Sequence, residues 1–387
     1  MPKKPDYAAD IIPRKSPADL RIATFNCENL FARPIAMNLD DNAKGQPYID
    51  AFYELNSIFG KPMYSAQDKA RILELMGKYG LTAARPKNKY LEFRKIRGQL
   101  FKKQGNKTIV VANRRADWVG WIELKTQSIK DQAILNTARV IAAVDADIQV
   151  LCEIEDRPSL KQFHDAVLEP ILATTGRSGY PYILLIDGND PRGIDVAILS
   201  RYPIIDVTTH IFDLPGAPPI FARDCAEYIV QVPSIGKPFI FMANHFNSKG
   251  SDPTGLKRRL PQATQVGKIV TGRLGQGFTH VIVAGDLNDT PNSQGLAPLM
   301  THPQLTDAVK QFAALIDPTG KRLGTYETGK QQIDYILMSP TVSAVAKNAG
   351  IERRGHYAAK TWKAFDTVTS SRMEASDHHA VWADLAI

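Results

Sequence analysis

The sequence contains few cysteines. Its 387 residues include only three, at Cys27, Cys152 and Cys225. Three thiols cannot all be paired with one another, and each of them lies within an apolar, strand-like run. We therefore expect buried free thiols, which are typical of proteins in reducing compartments.

Long apolar runs are also missing. No stretch approaches the roughly 18 consecutive apolar residues that indicate a membrane-spanning helix. The N-terminus, MPKKPDYAADIIPRKSPADL, is basic but is not followed by the apolar core of a signal peptide. We therefore expect a cytoplasmic protein that makes no membrane contact. We find no internal repeat, no long low-complexity segment and no feature of an obligate protein partner.

The composition is that of a globular protein with a basic surface. Apolar residues make up 44% of the chain and charged residues 23%, which is enough for a sizeable core. The formal charge of +8 favours polyanionic partners such as nucleic acid or anionic lipid. Residues 1–20 are rich in Pro and Lys, and we expect them to form a loose arm. Residues 21–387 are predicted to form a single domain.

The order of apolar patterns predicts an α/β fold. Residues 21–26 read as a strand, and residues 131–144 have helical spacing. Later apolar runs are short, and several are continuous, as expected for strands that are buried on both faces. These runs lie at residues 148–154, 196–199, 228–232, 239–243, 281–284, 333–338 and 380–385. They predict a sandwich of mixed sheets that pack on each other, with helices outside.

Residues 33–128 have a different character and are predicted to be an insertion after the first strand. They contain one helical pattern, SAQDKARILELMGKYG, and the basic stretches FRKIRGQLFKKQGNK and NRRADWVGWIELK. Trp118 and Trp121, interleaved with basic residues, could stack on a nucleic-acid strand. Alternatively, the tryptophans belong to a core and the charges to solvated surface. Our hypothesis is that the insertion forms a lid or wall beside an active-site cleft.

Polar residues cluster where the predicted core strands end. Six such ends carry acids, Asn or His, in FNCEN, LCEIED, NHFNSKG, AGDLND, QQIDYI and ASDHHA. Burying a carboxylate or an unpaired imidazole is costly unless a metal or a partner compensates it, so six such ends indicate one convergent site. Carboxylate and amide oxygens suit Mg²⁺ or Mn²⁺, whereas zinc would usually recruit Cys or more His.

The order of these motifs resembles the endonuclease/exonuclease/phosphatase superfamily. The resemblance rests on Asn26-x-Glu28, Glu153, His245, Gly285-Asp286-Leu287-Asn288, Asp334 and Ser376-Asp377-His378. The resemblance covers residues 20–31 and most of the chain from about residue 130. Within the superfamily, the chain resembles metal-dependent phosphoesterases such as pancreatic deoxyribonuclease and exonuclease III. RGIDVA and NHFNSK also look like segments of a bacterial nuclease-like branch. The resemblance implies a four-layer α/β sandwich, in which two mixed β-sheets pack face to face with helices outside.

The resemblance also implies a set of metal ligands. Glu153 is expected to bind the ion, which we take to be Mg²⁺, with Mn²⁺ as a possible replacement. Asn26 is expected to assist it, together with Glu28 and Asp377.

A second set is implied to carry the catalytic roles. Asp286 is expected to orient or deprotonate the attacking water, and Asn288 to hold the nucleophile or a phosphate oxygen. His378 is expected to contact the scissile phosphate, with Asp334 fixing its tautomer. His245 is expected to donate to the phosphate or to the leaving oxygen.

Each of these assignments has a structural alternative. Asp286 and Asn288 could form a turn, because Asp and Asn bond their own backbone. His378 and His379 are adjacent on a predicted strand and point to opposite faces, so only one of them can enter the site. The match to Ser-Asp-His selects His378, and we expect His379 to be packed or at the surface.

Four further residues flank the predicted site and could bind substrate. Arg192, Arg223, Asn247 and Lys249 offer cations and an amide that could clamp phosphate. The structural alternative is salt bridging, for example between Arg192 and Asp195.

These observations predict a divalent-metal-dependent phosphodiesterase, with a nuclease that acts on DNA, RNA or both as the favoured reading. The alternative is a phosphomonoesterase or phosphodiesterase that acts on inositol phosphates, phospholipids or other small phosphate esters. An inactive binding scaffold ranks third, because such a relative is expected to lose some of the acids or His378, and here the set is complete.

Overall fold

The structure is a computed structural model that describes residues 7–30, 36, 42–83, 87–105, 107–125, 132–190, 192–213, 219–250 and 252–387. The chain divides into two compact units. The first unit, which we call the core unit, comprises Met1–Phe31 and Ile129–Ile387. The second, the inserted unit, comprises Ala32–Ser128.

The described residues form strands and helices of ordinary length. The strands are β1 (Leu20–Leu30), β2 (Leu91–Gly98), β3 (Phe101–Gln104), β4 (Lys107–Val110), β5 (Trp118–Leu124), β6 (Ile148–Ile154), β7 (Tyr182–Leu185), β8 (Asp195–Ser200), β9 (Ile204–Thr208), β10 (Cys225–Val230), β11 (Phe239–His245), β12 (His280–Asp286), β13 (Thr306–Asp307), β14 (Asp334–Met338), β15 (Ala346–Glu352) and β16 (Ala380–Leu385). The helices are α1 (Asn42–Phe59), α2 (Ala66–Lys78), α3 (Gln132–Val144), α4 (Arg157–Phe163), α5 (Glu169–Thr174), α6 (Arg259–Gly275), α7 (Ala297–Met300), α8 (Ala308–Gln311), α9 (Ala313–Ile316) and α10 (Pro340–Val345).

The core unit is built on two six-stranded mixed sheets. The first has the order β15-β16-β1-β6-β8-β7, and the second has the order β13-β14-β12-β11-β10-β9. Each sheet contains one parallel pair, β1 with β6 in the first and β11 with β12 in the second. The other strand pairs are antiparallel.

Alternation along the strands explains how the layers pack. In β6, Ile148, Val150 and Cys152 belong to a core that also contains Tyr228 and Phe241 of the second sheet. The two sheets therefore bury their inner faces against each other. On the outer faces, the first sheet packs against α3, α4 and α5, and the second packs against α6.

The predicted fold class is thus confirmed: two mixed sheets packed face to face, with helices outside. The expected strands are present, with ends shifted by a few residues. The short strands β7, β9, β13 and β15 were not expected, because few of their residues are fully buried and their sequences show little periodicity. The three thiols are free and buried, as expected.

The N-terminal segment from Tyr7 to Asp19 is fixed to the core unit, which differs from the loose arm expected from its composition. The backbone N–H of Ile12 donates to the carbonyl of Ala143 at 2.8 Å. The guanidinium of Arg14 forms an ion pair with Asp147. Composition did not reveal these contacts, since they depend on residues about 130 positions away. Residues 1–6 lie outside the described residues.

The inserted unit has a hydrophobic core of its own. The predicted helix is present as α2, where Ser65 and Asp68 form a reciprocal N-terminal cap. Trp118 is fully buried in this core, and its indole Nε1 donates to the hydroxyl of Tyr64. Stacking of Trp118 on a nucleic acid is therefore excluded, whereas Trp121 is 39% exposed.

None of the described helices combines the length and the apolar character that crossing a bilayer requires.

Candidate active site

The polar strand ends from both sheets meet in one cleft. Asn26 and Glu153 lie near the carboxyl ends of the parallel strands β1 and β6, and His245 and Asp286 end β11 and β12. Parallel neighbours carry their carboxyl ends to the same edge of a sheet, so each sheet contributes two of these side chains. The two central parallel pairs therefore position the site.

Asp286 is the most enclosed carboxylate of the cleft. Its Oδ1 accepts from the backbone N–H of Asn288 at 2.8 Å, and its Oδ2 accepts from the amide groups of Asn288 and Asn26 at 3.0 and 3.1 Å. Burial raises the pKa of Asp286, the charge of His378 lowers it, and Asp334 raises it further. A carboxyl whose pKa is moved towards neutrality can accept a proton at physiological pH.

His378 and Asp334 form a buried pair beside Asp286. The Nδ1 of His378 lies 3.0 Å from Asp334 Oδ2, and its Nε2 lies 3.9 Å from Asp286 Oδ2. Burial lowers the pKa of His378, but the charges of Asp334 and Asp286 outweigh this effect and raise it. The two carboxylates therefore favour the protonated imidazole, whose Nε2 lies on the Asp286 side of the ring.

His245 lies on the second sheet across from Glu153 and stays neutral. Its Nε2 lies 3.5 Å from Asp286 Oδ2 and 3.9 Å from Glu153 Oε1. Burial and the charges of nearby Arg223 and His378 hold its pKa well below the usual range. Its Nδ1 is buried without a hydrogen-bond partner among the described atoms.

Asn26 connects the first-sheet acids to the second sheet. Its amide nitrogen donates to Glu153 at 3.3 Å and to Asp286 at 3.1 Å, and it lies 3.5 Å from His378 Nε2. Its amide oxygen accepts from the backbone N–H of Glu28 at 3.0 Å. Asn26 therefore fixes the spacing of the two carboxylates.

The backbone is strained at three residues that line the cleft. Glu28, Glu153 and Asn288 have φ angles of 47°, 63° and 54°, in the left-handed region that L-residues rarely adopt. Among the described residues, only two further non-glycine residues, Asp145 and Glu327, have positive φ. Such strain costs on the order of 1–3 kcal/mol for each residue and persists where the surrounding structure enforces it, often at functional sites.

The cations predicted to contact substrate are also placed around the cleft, whose lining includes Arg192, Arg223 and Lys249. Arg192 is exposed and is held by Asp190 at 2.8 Å, so its partner is not Asp195. Arg223 is buried and lies 3.0 Å from the same carboxylate.

Asn247 does not line the cleft, although the next residue, Ser248, does. Its backbone carbonyl accepts from Arg259, and its backbone N–H donates to Gln262. His379, in turn, is buried away from the cleft, where its ring packs against Trp362.

Sequence reasoning missed several residues of the site. Tyr326 and Gln331 line the cleft, and the ring of Tyr326 meets the imidazole of His378 edge-on at 5.0 Å between centroids. The hydroxyl of Thr325 donates to Asp334 at 2.7 Å, and the hydroxyl of Ser376 donates to the Asn26 carbonyl at 2.8 Å. Ser376 was part of the quoted motif, but Thr325 and Tyr326 lie in a polar loop that carries no periodic signal.

The donors of the cleft fit a hard divalent cation. Glu28, Glu153, Asp286 and Asp377 line one cavity of about 470 Å³, and carboxylate oxygens are the ligands that such a cation prefers. One carboxylate oxygen each of Asp286 and Asp334 and a ring nitrogen of His378 lie within 4.8 Å of one another, but His378 and Asp334 already bind each other. The carboxylates of Glu28, Glu153 and Asp377, which were predicted to bind the ion, line the same cavity.

One other described group has the spacing of a metal site, but its histidine is already engaged. It consists of His164, Asp165 and Glu169. The Nδ1 of His164 pairs with Asp165, and its Nε2 accepts from the backbone N–H of Tyr180 at 2.8 Å. Neither ring nitrogen is left to bind an ion.

Comparison with known proteins places most of the core unit in one family. A family model described as the endonuclease/exonuclease/phosphatase family matches residues 130–378. No curated protein matches the chain.

Solved structures resemble the chain at low sequence identity. An endonuclease/exonuclease/phosphatase family protein from Bacteroides thetaiotaomicron is 21% identical, with 66% of this chain and 86% of that chain covered and a TM-score of 0.47. Truncated Caenorhabditis elegans TDP2 is 17% identical, with 65% and 89% covered and a TM-score of 0.46. A mannosyl-6-phosphatase from B. thetaiotaomicron is 20% identical, with 66% and 91% covered and a TM-score of 0.46.

Proposed function

The chain belongs to the endonuclease/exonuclease/phosphatase family, and from that premise we propose that it is a nuclease that hydrolyses phosphodiester bonds of DNA, RNA or both. Enzymes of this family are divalent-metal-dependent phosphoester hydrolases. The observation that carries the proposal is the enclosed Asp286 carboxylate, which faces the His378–Asp334 pair within a cleft that cations surround.

Glu153, with Glu28 and Asp377, would hold Mg²⁺ or Mn²⁺, and Asn26 would keep the acids in place. When bound, such an ion stabilises the negative charge that builds on the phosphoryl oxygens and promotes ionisation of water.

Asp286 would act as the general base that takes a proton from the attacking water. Three N–H groups fix its carboxylate, and the shift of its pKa towards neutrality suits proton acceptance. Asn288, which supplies two of those N–H groups, would orient the base and keep the water beside it.

His378 would stabilise the transition state as a fixed cation. Its imidazolium donates from Nε2 towards the cleft, while Asp334 holds Nδ1 and Thr325 holds Asp334. A pre-oriented donor of this kind is worth most where charge develops, which here is at the phosphoryl oxygens. His245, as a neutral imidazole, would donate a single hydrogen bond from Nε2.

The cations of the cleft suit a substrate that offers more than one phosphate group. Arg192 and Arg223, which share Asp190, and Lys249, which lies 3.6 Å from Asp289, line the cleft together with His378. A polynucleotide supplies neighbouring phosphates for these groups, and Arg in particular suits bidentate phosphate contacts. A terminal phosphate dianion would also satisfy Arg192 and Arg223, so a phosphomonoesterase is the second candidate.

The direct test is cleavage of supercoiled plasmid, linear duplex, single-stranded DNA and RNA in the presence of Mg²⁺ or Mn²⁺, with a His378→Ala variant from the same preparation as control. We expect metal-dependent cleavage by the wild-type protein alone. If none of the four is cleaved while a phosphate monoester or an inositol phosphate is hydrolysed, the second candidate replaces the nuclease.

Metal binding should also appear as added stability, independently of turnover. We expect millimolar Mn²⁺ or Mg²⁺ to raise the Tm of the wild-type protein, because an ion that binds only the folded state stabilises it by mass action. Glu153→Ala should lose most of this increase. Glu169→Ala, which removes an exposed acid from the other histidine–acid group, should retain it. An equal increase in all three proteins would show that the ion binds elsewhere.

Tyr326 should contribute modestly through its ring. Because the ring contacts the imidazole of His378, we expect Tyr326→Ala to lower kcat about tenfold and Tyr326→Phe to leave it within about threefold. A large loss in the phenylalanine variant would instead assign the role to the hydroxyl. Steady-state rates on the preferred substrate distinguish the two outcomes.

A further inference from the structure

The net positive charge of the chain lies in the inserted unit. Residues 32–128 contain 18 Lys and Arg against nine Asp and Glu, a formal charge of +9. The remaining residues contain 30 Lys and Arg against 31 Asp and Glu, so that their formal charge is −1. The basic character of the protein is thus a property of this unit, and the unit that carries the cleft is close to neutral.

Within the inserted unit, the charge is concentrated in one segment. Residues 93–116, which we call the basic segment, contain eight Lys and Arg and no acid. They include the hairpin β3–β4 and most of β2, which pairs with β5. A run of this kind on two-stranded ribbons forms a cationic surface instead of a balanced, salt-bridged one.

Most of these cations are free to bind a partner. Three are engaged: Arg94 with Glu123, Arg114 with Asp117, and Arg115 with the carbonyl of Gly120. The other five are exposed and form no ion pair with any acid that the structure describes; they are Lys95, Arg97, Lys102, Lys103 and Lys107. Five unpaired cations on one segment repel one another, and a polyanion would remove that repulsion.

Exposed apolar side chains accompany the charges. Trp121 is 39% exposed on β5, directly across from Arg94 in the register of the ribbon. Ile96, at the point where the register shifts, is 68% exposed. A half-exposed aromatic ring among cations can stack a base while the cations contact phosphates, which is the pattern of proteins that bind single strands.

We propose that the basic segment of the inserted unit is a second nucleic-acid contact surface, which binds the sugar–phosphate backbone of a single-stranded polynucleotide. The choice of partner rests on the proposed nuclease function. Since both units belong to one chain, a polynucleotide bound to this surface is linked to the unit that carries the cleft, and this linkage raises its local concentration there. The surface therefore lowers KM for long substrates and leaves kcat unchanged.

The test compares two triple variants with the same change in charge. Lys102→Gln/Lys103→Gln/Lys107→Gln removes the hairpin lysines. Lys78→Gln/Lys87→Gln/Lys89→Gln removes three exposed lysines of the same unit that lie outside the basic segment. Binding of a fluorescent oligodeoxythymidine of about 20 nucleotides is measured for the full chain in EDTA over a range of salt concentrations, so that the result does not depend on cleavage.

We expect the hairpin triple to bind on the order of 10- to 50-fold more weakly at about 0.15 M salt. The slope of log K against log salt should become less negative by about 2, because each phosphate contact to a single strand contributes roughly 0.7. The other triple should stay within about threefold of the wild-type protein. Trp121→Ala should weaken binding about fivefold or more through lost stacking.

Several outcomes would overturn the proposal. Equal losses of affinity in the two triple variants would show that only the net charge of the protein matters. An unchanged affinity in the hairpin triple would show that the basic segment does not bind the oligonucleotide. Loss of binding to phosphatidylserine vesicles without loss of oligonucleotide binding would assign the segment to membranes.

A small substrate separates this proposal from the nuclease function itself. Hydrolysis of bis(4-nitrophenyl) phosphate should be the same in the hairpin triple and in the wild-type protein. A chain that binds the oligonucleotide through the segment but cleaves no phosphodiester would contradict the nuclease function and leave the surface in place. A protein that cleaves phosphodiesters but binds the oligonucleotide equally well with and without the hairpin lysines would contradict the proposed surface and leave the nuclease function in place.

Discussion

Asp286→Asn is expected to lower kcat by about 10²–10⁴-fold, the range that a positioned general base supplies. The amide cannot take the proton of the attacking water, although it has nearly the same shape as the carboxylate. We expect the variant to fold, because its two effects on stability oppose each other. Asn26 and Asn288 lose a hydrogen-bond acceptor, whereas the removal of a buried charge is favourable. Single-turnover rates on the preferred substrate measure the effect, and circular dichroism verifies the fold.

The matched control for this variant is Asp307→Asn. Asp307 is a carboxylate in the same sheet whose pKa burial raises to about 6, and it does not line the cleft. Its replacement removes a charge from a similar environment and should leave kcat within about twofold. A wild-type kcat in Asp286→Asn would eliminate the base role, and an equal loss in both variants would indicate damage to the sheet.

Arg21→Met is expected to lower the free energy of unfolding by about 3–5 kcal/mol, as is typical when one partner of a buried ion pair is removed. Arg21 is fully buried on β1 and pairs through two nitrogens with Asp384 of β16, at 2.7 and 2.9 Å. It also donates to the carbonyls of Ile12 and Val144 at 2.7 and 3.0 Å, and it stacks on Trp382. The variant leaves the Asp384 charge buried without its cation.

Urea denaturation in EDTA measures this effect without interference from metal binding. The double variant Arg21→Met/Asp384→Leu should recover much of the stability, because replacing both ions with apolar groups avoids an unpaired charge. A single variant that loses less than about 1 kcal/mol would show that water or another group neutralises Asp384. If the double variant is as unstable as the single variant, the hydrogen bonds of Arg21 to backbone carbonyls account for most of its contribution to stability.

The convergence of several polar residues could be predicted from the sequence because these residues lie at the ends of apolar runs. Asp286 and Asp334 interrupt or end buried strands, where an acid is costly, and the structure places both in or beside the cleft. The strands themselves could be located from continuous apolar runs. These signals lie within short stretches of sequence, and the free-energy cost of burying an acid is large. Both properties allow such residues to be recognised without a structure.

Features that depend on distant contacts could not be predicted in this way. Thr325 orients Asp334 from a loop with no periodic pattern, and nothing in its neighbours marks it. Trp118 lies in a basic stretch that suggests exposure, yet it is buried because α1 and β2 pack on it. The left-handed backbone at Glu153 and Asn288 is likewise set by the surrounding fold, because neither residue type requires it.

The pairing of β1 with β16 has a consequence for biosynthesis. Leu20 is in register with Leu385, so β1 is synthesised long before the strand that pairs with it. β15 is held in the sheet only through β16 among the described strands, and Asp377 and His378 directly precede β16. A nascent chain that has not yet reached β16 therefore lacks both the β1–β16 pairing and the His378 imidazole. Assembly of the cleft thus depends on a strand pair that joins two distant parts of the chain, and the first sheet cannot be completed by local folding alone.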